Sequence, residues 1–351
     1  MIPLDAVTSL PAFQELAEVL QSGESTPNLG LMRAARLPVL SALHIKLKLP
    51  FLFITDRTDR ALSLLDELGL WAPDSTRLFF PEPTPLFYED SPWDEVTRRN
   101  RLLVLTTLAA YHIPMARGSQ FDPKPENAPI IVATTRAVMT RTLPRRDFIK
   151  ATSTLQRGPQ VQLDKLARNW VSLGYEPVTI VTAPGQFARR GGILDIWPTA
   201  DPRPVRLEFF GDEIDTLRAF DPATQRTIQE SERLLVTPAR EFILESVEQA
   251  ARVLAQARSV PEKSEEQDLE EPDAAKSPTE FHIPLLHADP ASVLNYLPNQ
   301  TIVFIDDQVA FQDTVNEVEE QAVTLHRDAV SNGDLPQGFP LPYLPWEEID
   351  S

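Results

Sequence analysis

Between residues 178 and 221 apolar side chains recur at alternate positions in short runs: 178-VTIV-181, 193-ILDIW-197, 204-PVRLEFF-210 and 213-EIDTLRAFD-221. Each run is cut off by Gly-Gly, Pro or Gly-Asp. A period of two sends successive side chains to opposite faces, and short glycine turns join neighbouring strands antiparallel. This stretch therefore has to fold as an antiparallel sheet, whatever surrounds it. A helix predicted near 162–173 precedes it, with Gly174 placed to end that helix.

The flanks obey a different rule. Residues 1–142 alternate helical patterns near 12–22, 34–48, 58–69 and 94–111 with the apolar runs 51-FLFIT-55, 78-LFF-80 and 130-IIVAT-134. Helices alternating with β-rich runs indicate βα units around a parallel sheet. Beyond residue 280 the pattern returns, with a helix expected near 289–297, a strand at 301–306 and a helix near 308–326. Between the two lies 259-SVPEKSEEQDLEEPDAAKSPTE-280, rich in acids, proline and serine and nearly free of aliphatics, which predicts a disordered insertion. The fold class expected is α/β: an α/β domain interrupted by an antiparallel, β-rich α+β domain, then a further α/β part.

Within the sheet region, 185-GQFARRGGILDIWP-198 sets two adjacent arginines before a glycine pair. Such a pair serves either as a phosphate cradle or as a turn that presents an arginine to a partner. On the strand 205–210, alternation places Val205, Leu207 and Phe209 on one face and Arg206, Glu208 and Phe210 on the other. Phe210 then either closes the core against the helix at 162–173 or lies exposed beside arginine, a combination frequent at protein interfaces.

These residues resemble a known family. G-x-F-x-x-R-G-G-I-L-D-I-W-P followed by P-V-R-L-E-F-F-G-D-E-I-D-T-L-R-x-F-D is similar to the second domain of the UvrB-homology module of transcription-repair coupling factors. The segments 80-FPEPTPLFYEDSPWDEVTRRNRLLVL-105, 130-IIVATTRAVMTRTLP-144, 225-QRT-227, 237-TPARE-241 and 296-YLPNQTIVFIDD-307 resemble further parts of that module in the same order. The resemblance implies three parts: an α/β domain at 1–142 with a degenerate nucleotide site, a UvrA-binding α+β domain at 143–240, and a helical and α/β return at 241–351. It implies docking of the excision-repair protein UvrA through Arg190, Arg206 and Phe210, with Arg189 and Glu208 as secondary candidates. Arg189 is then either a contact or merely solvated, and Glu208 either a contact or a residue that orients Arg206.

The resemblance also sets expectations about what is absent. The Gly-x-x-x-x-Gly-Lys-Ser/Thr loop that cradles nucleotide phosphates occurs nowhere. At its expected place the sequence reads 25-STPNLGLMRAARLP-38. No cofactor is expected in this chain; ATP and magnesium belong to the motor domains of a complete coupling factor, and contacts with RNA polymerase and DNA to its polymerase-interacting and translocase domains. The chain is accordingly expected to be a piece of a longer protein, without ATPase activity of its own. The segment 81-PEPTPLFYEDSPW-93 lacks the tyrosine-rich hairpin with which UvrB enters DNA and reads as a surface loop.

Charge leaves a narrower choice of partners. The net charge is −18, but the segments 259–280 and 306–351 carry −6 and −10 of it, and the rest of the chain is near neutral. Basic clusters at Arg98, Arg99 and Arg101 and at Arg136, Arg141, Arg145 and Arg146 are either solvated faces or a nucleic-acid surface. The chain has no cysteine, which excludes disulfides and thiolate sites, and its histidines form no zinc-binding pattern. No apolar run is long enough to cross a membrane, and no signal peptide opens the chain. The expectation is a cytoplasmic monomer.

Overall fold

The computed structural model describes residues 4–24, 28–113, 124–257 and 277–349, which group into two compact units. The first comprises residues 1–82, 107–139 and 296–319, the second 83–106, 140–295 and 320–351.

The first unit is built on a four-stranded parallel sheet, in the order Ile302–Ile305, Phe51–Thr55, Ile130–Thr134, Arg77–Phe80. Parallel strands packed on both faces read as unbroken apolar runs rather than alternating ones. FLFIT and IIVAT do so, and each is buried along its length. The helices Pro11–Gln21, Arg33–Leu47 and Thr58–Trp71 cover one side, where Phe13, Leu40, Leu43, Leu64 and Leu68 meet Phe51, Phe53 and Val132. Asp306, just past the edge strand, is gripped from two helices: Arg36 Nη1 donates to its Oδ1 at 2.8 Å and Arg60 Nε to its Oδ2 at 2.9 Å.

The second unit contains a six-stranded sheet with the strands in the order Thr227–Glu230, Glu213–Phe220, Val205–Phe210, Ile193–Ile196, Gln186–Arg190, Glu176–Pro177. All its pairings are antiparallel except the last, short one. The helix Leu163–Ser172 lays Leu163, Leu166 and Trp170 on one face, against Phe187, Leu194, Ile196, Val205, Leu207 and Leu217. That helix ends as expected: Gly174 takes φ +87°, and Tyr175 N donates to Trp170 O at 2.9 Å. The pairing of Glu208 with Thr216 and Phe209 with Ile214 skips Asp215. This bulge lets Ile214 and Leu217, an odd number of residues apart, share the core face.

Four expectations need correction. The run 178–181 is not a strand; the ladder is confined to Glu176–Pro177, where proline removes a donor, and Val181 is buried instead with Ala188 and Phe220. The helix near 289–297 is only a 3₁₀ turn, Val293–Tyr296, begun at Ser292, whose Oγ accepts from Leu294 N, and followed closely by Pro298, which disfavours helix at the residue before it. The loop 81–93 is no loose surface loop: Phe87 stacks on Tyr343 at 4.9 Å, Tyr88 meets His326 at 4.9 Å, and Trp93 is buried. Most of the acidic insertion lies outside the described residues. Its last four residues, 277–280, are ordered, and Glu280 is buried beginning a 3₁₀ turn capped by Thr279.

Candidate protein-docking surface

The arginine and glycine pairs of 189–192 form the end of a hairpin. Arg190 closes the strand Gln186–Arg190, Ile193 opens the next, and the two are paired across it. Gly191 occupies φ +60°, a conformation that costs a residue with a Cβ. The neighbouring hairpin repeats the device: Phe210 pairs with Glu213, and Gly211 adopts φ +63° between them. Both tips lie at the same end of the sheet, tied by a hydrogen bond of 2.9 Å from Phe209 N to Gly192 O. No helix begins at the glycine pair, so its amides do not form the strand-to-helix cradle that holds phosphate.

Register and alternation place Arg190, Ile193, Asp195, Arg206, Glu208, Phe210 and Arg218 on the face away from the core. Phe210 is 84 % exposed there, while Phe209 packs against the core on the other side. The choice left open by the sequence is thus resolved against Phe210 as a core residue. Arg190 is exposed as well, and no hydrogen bond or ion pair to its side chain occurs among the described residues.

Arg206 is held differently. It stands opposite Asp195 on the adjacent strand, and its Nε and Nη2 donate to the two carboxylate oxygens at 2.7 and 2.8 Å. Asp195 is only 2 % exposed. The guanidinium also lies over the buried ring of Phe220, 4.8 Å from its centroid. The hydrogen bonding that Arg206 donates to Asp195 raises its pKa above the ordinary value, against the opposing effect of burial, so the charge is secure. Asp195 is not among the residues singled out by sequence; its signal there is a carboxylate within ILDIW on the face opposite Leu194 and Ile196.

The two secondary candidates are paired within the domain. Glu208 does not orient Arg206. Its oxygens accept from Thr216 Oγ1 at 3.0 Å and from Arg218 Nη1 at 3.4 Å. Arg189 projects to the opposite face, where it pairs with Asp164 on the core-covering helix, so the structure does not bring it together with Arg190. The basic clusters are also partly internal. Arg101 is fully buried, donating through Nε and Nη2 to Glu241 at 2.6 and 3.0 Å beneath Trp93. Arg141 is buried too and donates to the carbonyls of Leu341, His287 and Ala288. Neither guanidinium faces outward to meet a phosphate.

Comparison with known proteins places this surface in context. Residues 154–242, which contain every strand of the six-stranded sheet, match the family model of the UvrB interaction domain. The transcription-repair-coupling factor of Myxococcus xanthus is 31 % identical over 255 residues, 71 % of this chain and 20 % of the relative. That of Bacillus subtilis is 28 % identical over 321 residues, 86 % of this chain and 26 % of the relative. The UvrABC system protein B of Acaryochloris marina is 28 % identical over 233 residues, 66 % of this chain and 34 % of the relative. The chain thus spans about a fifth to a third of the length of these relatives. No described helix is long and apolar enough to cross a membrane.

Proposed function

We propose that this chain, homologous over most of its length to transcription-repair-coupling factors and bearing a UvrB interaction domain, recruits UvrA through the outer face of its six-stranded sheet. The observation that carries the reading is Phe210, 84 % exposed at the same sheet end as the unpaired Arg190. A phenylalanine this exposed at a hairpin tip buries little of its ring in the fold and supplies an aromatic anchor to a partner. Arg190 offers a complete guanidinium fork for a carboxylate, and Arg206 offers its remaining Nη1 edge. The chain acts as a recruiter without ATPase activity of its own. Two features support this: the phosphate loop is absent from the sequence, and Asp306, at the carboxyl edge of the parallel sheet, is occupied by Arg36 and Arg60. Engagement of RNA polymerase and DNA is assigned to other parts of a complete coupling factor.

The test is calorimetric titration of UvrA into the wild-type chain and into Arg190→Ala, Arg206→Ala and Phe210→Ala. Saturable wild-type binding is expected, weakened by about 2–5 kcal/mol on loss of an interfacial arginine and by roughly 2 kcal/mol or more on loss of Phe210. Melting temperatures should stay unchanged for Arg190→Ala and Phe210→Ala. A folded wild type that does not bind UvrA would overturn the proposal.

A further inference from the structure

Arg206 is not a free surface arginine, and the way it is held points to a role for a residue that cannot itself touch a partner. Two of its three nitrogens are spent on Asp195 at 2.7 and 2.8 Å. Its plane lies over Phe220, which is fully buried. The third nitrogen, Nη1, has only a 3.5 Å approach to Gln225 O. An arginine side chain ordinarily loses appreciable rotamer entropy when it is fixed in an interface. Here that ordering is completed on folding: a carboxylate from the next strand holds the fork from one edge and an aromatic ring supports it from below. The guanidinium is thereby held in a single orientation on the same face of the sheet as Arg190 and Phe210, with 19 % of the Arg206 side chain still exposed.

We infer that Asp195 is the positioning residue of the docking face, orienting Arg206 so that its Nη1 edge meets an acceptor, a carboxylate or main-chain carbonyl, on the partner. This inference rests on the reading that the face binds UvrA. Arg218 shows why the arrangement is particular to Arg206. It lies beside Arg206 on the next strand but meets Glu208 through a single contact of 3.4 Å, and its side chain is 34 % exposed against 19 % for Arg206. Burial of Asp195 without its arginine would strand a carboxylate in the sheet, so the pair also contributes to the fold, and binding has to be separated from stability.

The experiment compares wild type, Asp195→Asn, Asp195→Glu, Arg206→Ala and the Asp195→Asn/Arg206→Ala double variant. UvrA affinity, melting temperature and the ¹H–¹⁵N resonance of the Arg206 side-chain Nε–H are read for each. Asparagine keeps one acceptor oxygen. Glutamate keeps the charge but lengthens the arm, so either variant that stays folded tests the geometry. Asp195→Asn is expected to weaken UvrA binding on the order of tenfold, the scale of a hydrogen bond to a charged group, and to move the Nε–H resonance toward that of a solvated arginine. The double variant should bind no worse than Arg206→Ala. Wild-type binding that Arg206→Ala abolishes and the folded Asp195 variants leave intact overturns the role of Asp195 alone. So does a loss in Asp195→Asn that adds in full to that of Arg206→Ala. Absence of wild-type binding overturns the UvrA reading and this inference with it, whatever the resonance shows of the pair.

Discussion

Arg101 and Glu241 stand 140 positions apart in the chain, yet they share two hydrogen bonds, of 2.6 and 3.0 Å, with their side chains only 0 % and 1 % exposed. The ring of Trp93 covers the guanidinium at 4.7 Å. The pair ties the helix Glu95–Ala109 to the segment that leaves the two-stranded ladder of Ser153–Gln156 and Arg233–Val236. A buried pair of this kind adds little net stability over an apolar one, but removal of one partner strands the other. Glu241→Ala should therefore cost about 3–5 kcal/mol in denaturant unfolding. An Arg101→Met/Glu241→Leu replacement should recover most of that loss. Equal destabilisation by the single and double variants would contradict the argument.

Phe209 and Phe210 are chemically identical neighbours in opposite environments. Phe209 packs against Leu207 and the rest of the core cluster, whereas Phe210 is 84 % exposed. Phe209→Ala should lower unfolding free energy by about 2–3 kcal/mol, somewhat below the cost of a fully buried phenylalanine. Phe210→Ala should stay within about 0.5 kcal/mol of wild type, and its effect should appear in UvrA binding. A drop in stability for Phe210→Ala comparable to that of Phe209→Ala would place its ring in the core after all.

The contrast between these two residues shows what the sequence made legible. Alternation assigned the faces of the strand 205–210 correctly, because a pleated strand leaves no choice once one residue is placed. It could not decide whether the second face was covered, since that depends on elements distant in the chain. The parallel sheet was legible for a similar local reason: FLFIT and IIVAT are continuous apolar runs of strand length. The partners of single charged residues were not. Arg206 finds Asp195 rather than the nearer Glu208 because Glu208 lies on its own strand, whereas the register of Ile193–Ile196 against Val205–Phe210, set across the connection 197–204, puts Asp195 directly opposite. Arg101 was grouped with Arg98 and Arg99 as part of a charge cluster, but helical geometry turns it inward toward a carboxylate supplied by 237-TPARE-241.

Glu280 gives the second unit a pH dependence of definite sign. Burial pushes its carboxyl up to about 7, and the charge of Glu241 adds to this, against its own backbone hydrogen bond and the pull of Arg98. This is so although Arg240 Nη1 donates to Oε1 at 3.0 Å; Oε2 has no partner among the described residues. With an ordinary value of 4.5 in the unfolded chain, the folded state retains a proton that the unfolded state has lost between those two values. The stabilisation is fully present below about pH 4.5, declines as pH rises to about 7, and is constant above that. Glu280→Gln, which cannot ionise, should remove this component. Relative to wild type its unfolding free energy should be larger, and the folded variant therefore more stable, at pH 8 than at pH 5, by roughly 2–3 kcal/mol. Parallel stability profiles for the two chains across that range would show that Glu280 does not titrate on folding.

Asp306 carries the opposite sign in the first unit. Burial raises its pKa, but hydrogen bonds from Arg60 and Arg36, supported by their charges, outweigh burial and hold it below the ordinary carboxylate value. A depressed value contributes stability that is present above the unfolded pKa of 3.8 and is lost as pH falls through the folded value. Asp306→Asn keeps the shape and gives up the charge. It should cost about 1–3 kcal/mol at pH 7, the range for charge-assisted hydrogen bonds, and the cost should shrink as acid protonates the wild-type residue. The same carboxylate bears on the proposed lack of nucleotide chemistry, because a group committed to two guanidinium partners is not free to hold a magnesium ion. Magnesium–ATP should therefore leave the melting temperature of the wild type unchanged, and it should not restore the stability lost in Asp306→Asn. A concentration-dependent rise in melting temperature with magnesium–ATP would mean that Arg36 or Arg60 releases Asp306 to a ligand, and the reading of this edge as internally satisfied would fail.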